Sequence, residues 1–146
     1  MIKVVVGHIC SGKSTWVREH AGPDDVVIDF DRLALALASE DTRHHEYGQP
    51  IRDIVRVVRW FAIDESVRLH RFGVVPNVWI VHAYPTEADM ARYRRLGASV
   101  KACEAEPETL LERAAAERPE AMRAELGRRL AAGGWGRPDA CHSVHS

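Results

Sequence analysis

The sequence predicts a three-layer α/β/α domain around a mainly parallel sheet of about four or five strands. Two observations carry that expectation. Short apolar runs of strand type alternate with longer stretches of helical period along the chain. The first run also passes straight into G-x-x-x-x-G-K-S, residues 7–14, before a helical segment begins. With 146 residues the chain is the length of about one domain that buries a core without disulfides or metal.

Residues 2–6 are apolar apart from Lys3, the pattern of a strand covered on both faces. A helix follows over residues 13–20 and is stopped by Ala21, Gly22 and Pro23. Val26, Val27 and Ile28 form the second strand, which opens at Asp29, Phe30 and Asp31 into a helix over residues 32–38. Residues 39–48, with His44 and His45 among them, are polar and aperiodic, which predicts a mobile loop. Over residues 50–72 the spacing of Ile51, Ile54, Val55, Val58, Phe61, Ala62 and Leu69 is helical, with Pro50 suited to the first turn and Gly73 to the end. Residues 78–81 are the third strand, ending at His82, Ala83, Tyr84 and Pro85. Thr86 with Asp89 three residues on has the form of a capping box and begins a helix closed by Gly97. Residues 98–102 form a short fourth strand. Pro107 and Pro119 each suit a first helical position, dividing the remainder into helices near 107–117 and 119–132, closed by Gly133 and Gly134. The domain is assigned to residues 1–134, and residues 135–146, which lack periodicity, read as a frayed tail.

Twenty basic against twenty-one acidic residues give a net charge of -1, so no global field draws nucleic acid or membrane and any basic patch is local. Cys10, Cys103 and Cys141 are odd in number and far apart, which argues against a disulfide framework and for a reducing compartment. The first run is too short and too strand-like for a signal peptide, and no apolar stretch approaches the ~20 residues of a membrane span. A soluble cytoplasmic protein without a membrane partner is expected.

The spacing of residues 7–14 is that of a P-loop. Several successive backbone N–H groups must converge on one phosphate chain, so Gly7 and Gly12 stand where a side chain or an ordinary φ would block the wrap. Gly7, His8, Ile9, Cys10, Ser11, Gly12, Lys13, Ser14 and Thr15 are therefore the candidate contacts to a nucleoside triphosphate. Lys13 adds positive charge to its β and γ oxygens and the following helix turns its positive end to them. Ser14, with Thr15 as the weaker candidate, offers a hydroxyl to Mg²⁺.

In an open parallel sheet the ligand lies beyond the carboxyl ends of the strands. The second strand delivers Asp29 and Asp31 there: Asp29 to support Mg²⁺, Asp31 to take the proton of an acceptor hydroxyl, with helix capping as the plain alternative for either. The third strand delivers His82 where a metal-binding acid would serve an ATP-driven motor; hydrogen bonding to substrate and a merely satisfied strand-end histidine are both open. Arg113 and Arg118 flank the break at Pro119 and are the candidates to cover a γ-phosphate. Arg52, Arg56 and Arg59 form a basic stripe along the long helix, either steering a phosphorylated substrate or facing solvent. Cys10 is either a reactive thiol at a helix N-terminus or an inert filler, and Cys141, His142 and His145 are weak grounds for a metal site.

The stretches VVVGHICSGKSTWVREH, VVIDFDRL, VWIVHAYPTEADMARYRRLGASV and ETLLERAAAERPEAMRAEL resemble the small P-loop kinases, and among them the phage-type polynucleotide kinase-like proteins. That resemblance implies a P-loop NTPase core of four or five strands with a helical lid, ATP with Mg²⁺ as donor, an aspartate after the second strand as base, matched by Asp31, and a lid arginine matched by Arg118 or Arg113. Two positions depart from it: Ala34 stands three residues beyond the base where an arginine is common, and His82 stands where an acid is common. The acceptor hydroxyl, on a DNA or RNA end, a modified base, a nucleoside, a nucleotide or an unrelated alcohol, stays open, with Asp31, Arg52, Arg56 and His82 as candidate contacts. A nucleotide hydrolase or ATP-operated switch, and a binding module without turnover, are the rival readings.

Overall fold

The computed structural model describes residues 1–133; the expected tail at 135–146, with Cys141, His142 and His145, lies outside the described residues. Strands β1 (Ile2–Val6), β2 (Val26–Asp29), β3 (Val78–His82) and β4 (Ser99–Ala102) form one sheet in the order β2-β3-β1-β4. Every neighbouring pair is parallel. Six helices accompany them among the described residues: α1 (Lys13–His20), α2 (Phe30–Leu37), α3 (Gln49–Arg71), α4 (Glu87–Arg95), α5 (Pro107–Glu117) and α6 (Glu120–Ala131).

The central positions go to the most apolar runs. Val4, Val5 and Val6 of β1 and Val78 and Ile80 of β3 are fully buried, whereas β4, with Ser99 and Lys101 exposed, is an edge. Side chains of period two then make two cores. Val4, Val6 and Ile80 meet Ile63 and Val67 of α3 and Met90 and Tyr93 of α4 on one face. Val5, Trp79 and Val81 meet Val17 and Trp16 of α1 on the other. Helices thus cover both faces, as expected from the alternation.

The chain leaves β1 through α1 toward β2 on one side, and leaves β3 through α4 toward β4 on the other. Two adjacent strands whose connections depart in opposite directions open a crevice beyond their carboxyl ends. Thr86 and Asp89 form both bonds of the expected capping box at the start of α4, at 3.1 and 2.8 Å.

Several expectations are corrected. α2 begins at Phe30, two residues early, because Asp29 is its N-cap and accepts the Asp31 N–H at 2.9 Å. Pro119 is the N-cap of α6 and not its first residue. The buried line of α3 is Val55, Arg59, Ile63 and Val67, while Ile54 and Phe61 are exposed at 50% and 73%. Arg59 therefore leaves the solvent-facing stripe assigned to it and lies inside. Residues 39–48 are anchored: His45 and Tyr47 are buried, and the Tyr47 hydroxyl donates to the Asp31 carbonyl at 3.1 Å. No helix among the described residues is long and apolar enough to cross a membrane.

Candidate functional site

Between β1 and α1 the chain turns through three positive-φ positions, Gly7 at 147°, Cys10 at 63° and Gly12 at 89°. A Cβ on Gly7 would stand 2.3 Å from the Cys103 carbonyl oxygen and 2.8 Å from Ser11 Oγ, so the turn is pressed against the chain leaving β4. We expect Gly7→Ala to cost about 3 kcal/mol in urea unfolding, from backbone strain and overlap together. Gly12 is the N-cap of α1 and supplies no side-chain cap, which leaves the first N–H groups of that helix open to another acceptor.

Lys13 folds back over this turn. Its amine donates to the His8 carbonyl and lies 3.4 Å from Ser11 Oγ, and only 7% of the residue is exposed. Burial pushes the amine down to about 8 from its ordinary 10.5, against the weaker opposing pull of Cys103 and then Asp29. Between those two values the unfolded chain binds more protons than the folded one, so stability rises with pH in that window. Wild type should gain on the order of 3 kcal/mol over Lys13→Met between about pH 8 and 10.5, read from urea midpoints.

Ser14 Oγ donates to Asp29 Oδ2 at 2.7 Å, while Asp29 Oδ1 caps α2. The two carboxylate oxygens of Asp29 are thus used separately, one as the cap of α2 and the other by Ser14. Asp31 reaches the site from the first turn of α2 and not as an alternate strand residue. His45, with φ 70°, puts Nδ1 3.1 Å from Asp31 Oδ1, within ion-pair distance but not aligned as a hydrogen bond. Burial alone would raise the Asp31 pKa; the adjacent His45, then His44 and Arg118, outweigh it and hold the carboxyl below its ordinary value.

The α5–α6 pair closes over the turn. Leu110, Ala114 and Leu126 form a small core with Ile9 and Cys10 packed against it. Arg113 Nη1 donates to the Cys10 carbonyl at 3.0 Å, and the Arg129 guanidinium lies 3.8 Å over the Tyr84 ring. The Tyr84 hydroxyl accepts the Ile9 N–H at 3.3 Å and stands the same distance from His8 Nδ1. Arg118 is half-buried, its nearest acid is Glu117 at 3.7 Å, and its Nε has no partner. Burial pushes the Cys10 thiol up, outweighing the nearby arginines and lysine, which favours the neutral thiol over the thiolate.

One open cleft of about 1550 Å³ runs from residues 9–15 past Asp29 and Asp31 to α3, His82 and α6; Gly7, His8 and His45 are not among its lining residues. No protein-family model matches the chain, and no curated protein matches it either. The geometry alone therefore says which predicted residues meet. Lys13, Ser14, Thr15, Asp29, Asp31, Arg52, Arg56, His82, Arg113 and Arg118 all border the cleft. Ser14 and Thr15 are both exposed, and it is Ser14 that donates to the Asp29 carboxylate. Arg52 donates Nε to the Tyr47 carbonyl at 3.2 Å, and Arg56 pairs with Asp53 at 2.7 Å on the exposed rim. His82 stands at the strand end with its Nδ1 2.8 Å from the Tyr93 hydroxyl. Among the described residues no group of three or more His, Cys, Asp and Glu gathers as a metal site.

Tyr84, Tyr93 and Arg129 had no assigned role in the sequence, while Arg59 was placed on a surface stripe and His45 in a mobile loop. Arg59 had a signal: it stands midway between Val55 and Ile63 at i, i+4 and i+8, where a face turned to the sheet would carry it inward. His45 had none, because only the folded loop brings it to Asp31.

Proposed function

We propose that the chain is a P-loop kinase of the polynucleotide kinase-like kind, moving the γ-phosphate of ATP or another nucleoside triphosphate to a hydroxyl on a nucleic acid, nucleotide or nucleoside. The observation that carries this reading is the Lys13 ammonium, withdrawn from water and hydrogen-bonded only to neutral oxygens of its own turn. Desolvating a charge is costly unless an anion completes it, and a triphosphate threaded through residues 7–13 would supply that anion.

In this reading residues 7–13 cradle the donor, and α5 with α6 is the lid. Ser14 and Asp29 are hard oxygen donors already held together, the kind of partial set Mg²⁺ accepts beside phosphate oxygens and water. When bound, Mg²⁺ neutralises charge on the phosphate chain. Asp31 takes the acceptor's proton, kept ionised by its low pKa. Arg118 covers the transferring phosphoryl, because its Nε is unclaimed while Arg113 is held by the Cys10 carbonyl. The neutral His82 at the end of β3 gives a water-activating motor no acid there, which favours transfer over hydrolysis. Free Cys10 and Cys103 suit a reducing cytoplasm.

The test is transfer of labelled γ-phosphate to oligonucleotides, hydroxymethylated DNA, nucleosides and nucleoside monophosphates in parallel, with calorimetry of ATP and Mg²⁺. Label on one acceptor class is expected. Free phosphate released at the same rate with and without every acceptor, or no heat on adding ATP and Mg²⁺, would overturn the proposal.

A further inference from the structure

We propose that the carboxyl end of β3 carries an anion subsite built on Arg59, so that the acceptor taken up beside the nucleotide bears a phosphate or carboxylate. The word acceptor rests on the kinase reading; the subsite itself does not.

Arg59 is 5% exposed and reaches from α3 under the end of β3 to the wall of the cleft. One guanidinium nitrogen, Nη2, donates to the Val81 carbonyl at 3.2 Å and to the Tyr93 hydroxyl at 2.8 Å. Its Nε is buried with no partner, and among the described residues no carboxylate pairs with the group. Two arginines nearer the surface are paired: the exposed Arg56 with Asp53 and the half-buried Arg92 with Asp64, each at 2.7 Å. A buried cation left unpaired beside paired surface cations reverses the usual economy of charge, in which buried ions carry partners. An anion entering the cleft supplies the missing partner, and the planar fork suits phosphate or carboxylate.

His82 adds a second donor. Arg59 donates to the Tyr93 oxygen, which leaves the hydroxyl proton for His82 Nδ1 at 2.8 Å. Burial and then Arg59 hold His82 down to about 3, hence neutral, so its remaining proton sits on Nε2. The acid closest to that nitrogen, Asp89 at 4.0 Å, already accepts the Thr86 N–H in the capping box. Arg59 and His82 together thus present N–H donors to one part of the cleft.

The experiment is calorimetric titration of matched pairs, adenosine 3′-monophosphate against adenosine and glycerate against glycerol. Each is run on wild type saturated with ADP and Mg²⁺ and on Lys13→Met protein without nucleotide, where the residue 7–14 turn is disabled. The anionic member of at least one pair should bind about tenfold or more tighter, and Arg59→Gln should erase that preference. If Arg59→Gln does not fold, Arg59→Lys, which keeps charge but not the fork, should lose most of it. Equal affinity within both pairs, no binding of either anion, or a preference that survives in the Arg59 variant would overturn the subsite. Failure of ATP to bind would sink the kinase reading instead, and the Lys13→Met arm would still decide this one.

Discussion

Alanine at Lys13 should lower phosphate transfer about a thousandfold or more while changing stability at neutral pH by no more than about 1 kcal/mol. The two effects separate because Lys13 does little for the empty fold. Its amine is buried, donates only to the His8 carbonyl and, at 3.4 Å, to Ser11 Oγ, and is pushed down to about 8 because water is excluded. Removing it relieves a desolvated charge and forfeits the packing of its methylenes, terms of opposite sign. Lys13→Met keeps the stem and should therefore raise the stability of the nucleotide-free protein. With the proposed nucleotide bound, the same amine would face the developing charge on the γ-phosphoryl, and no other lysine lines the cleft. Initial rates with labelled ATP and urea midpoints on the same samples check both halves. A folded variant retaining a tenth of wild-type activity, or one inactive only because it has unfolded, would count against the assignment.

What was legible in the sequence follows the range of the forces involved. Strand runs, the capping box at Thr86, the stop at Gly97 and the helix start at Pro107 are set by neighbours within a few residues, and the folded chain follows them closely. Asp29 shows the limit: its position announced a cap or a ligand support, but only the folded chain brings Ser14 from another element to one oxygen while the other caps α2. On α3, two lines of residues share helical spacing, Ile54 with Val58 and Phe61, and Val55 with Ile63 and Val67. Periodicity does not choose between them; contact with Val4 and Ile80 of the sheet does, and it carries Arg59 inward with the second line. Arg113 and Arg118 were equivalent by composition. They part because α5 sets Arg113 against the Cys10 carbonyl and leaves Arg118 Nε unclaimed.

Asparagine at Asp31 should reduce turnover about a hundredfold to ten-thousandfold with ATP affinity held within about threefold. Asp31 sits in the first turn of α2, where its charge favours the helix by about half a kcal/mol, so the variant should fold. His45 stands on the loop side of its carboxylate, 3.1 Å from Oδ1, while Asp31 lines the cleft on the other. An amide there has the same shape and cannot take a proton, which makes the substitution a test of proton acceptance and not of fit. Because the folded pKa lies below its ordinary value, the stabilisation Asp31 contributes is complete above the unfolded pKa and is lost as pH falls through the folded one. The acid limb of turnover should likewise lie at or below the ordinary carboxylate range in wild type. Asp29→Asn provides the contrast: it disturbs the Ser14 pair and the α2 cap, so ATP and Mg²⁺ affinity should fall with the rate. Equal turnover of the Asp31 variant at saturating ATP, or a loss of ATP affinity matching its loss of rate, would show that Asp31 binds or supports instead of accepting the proton.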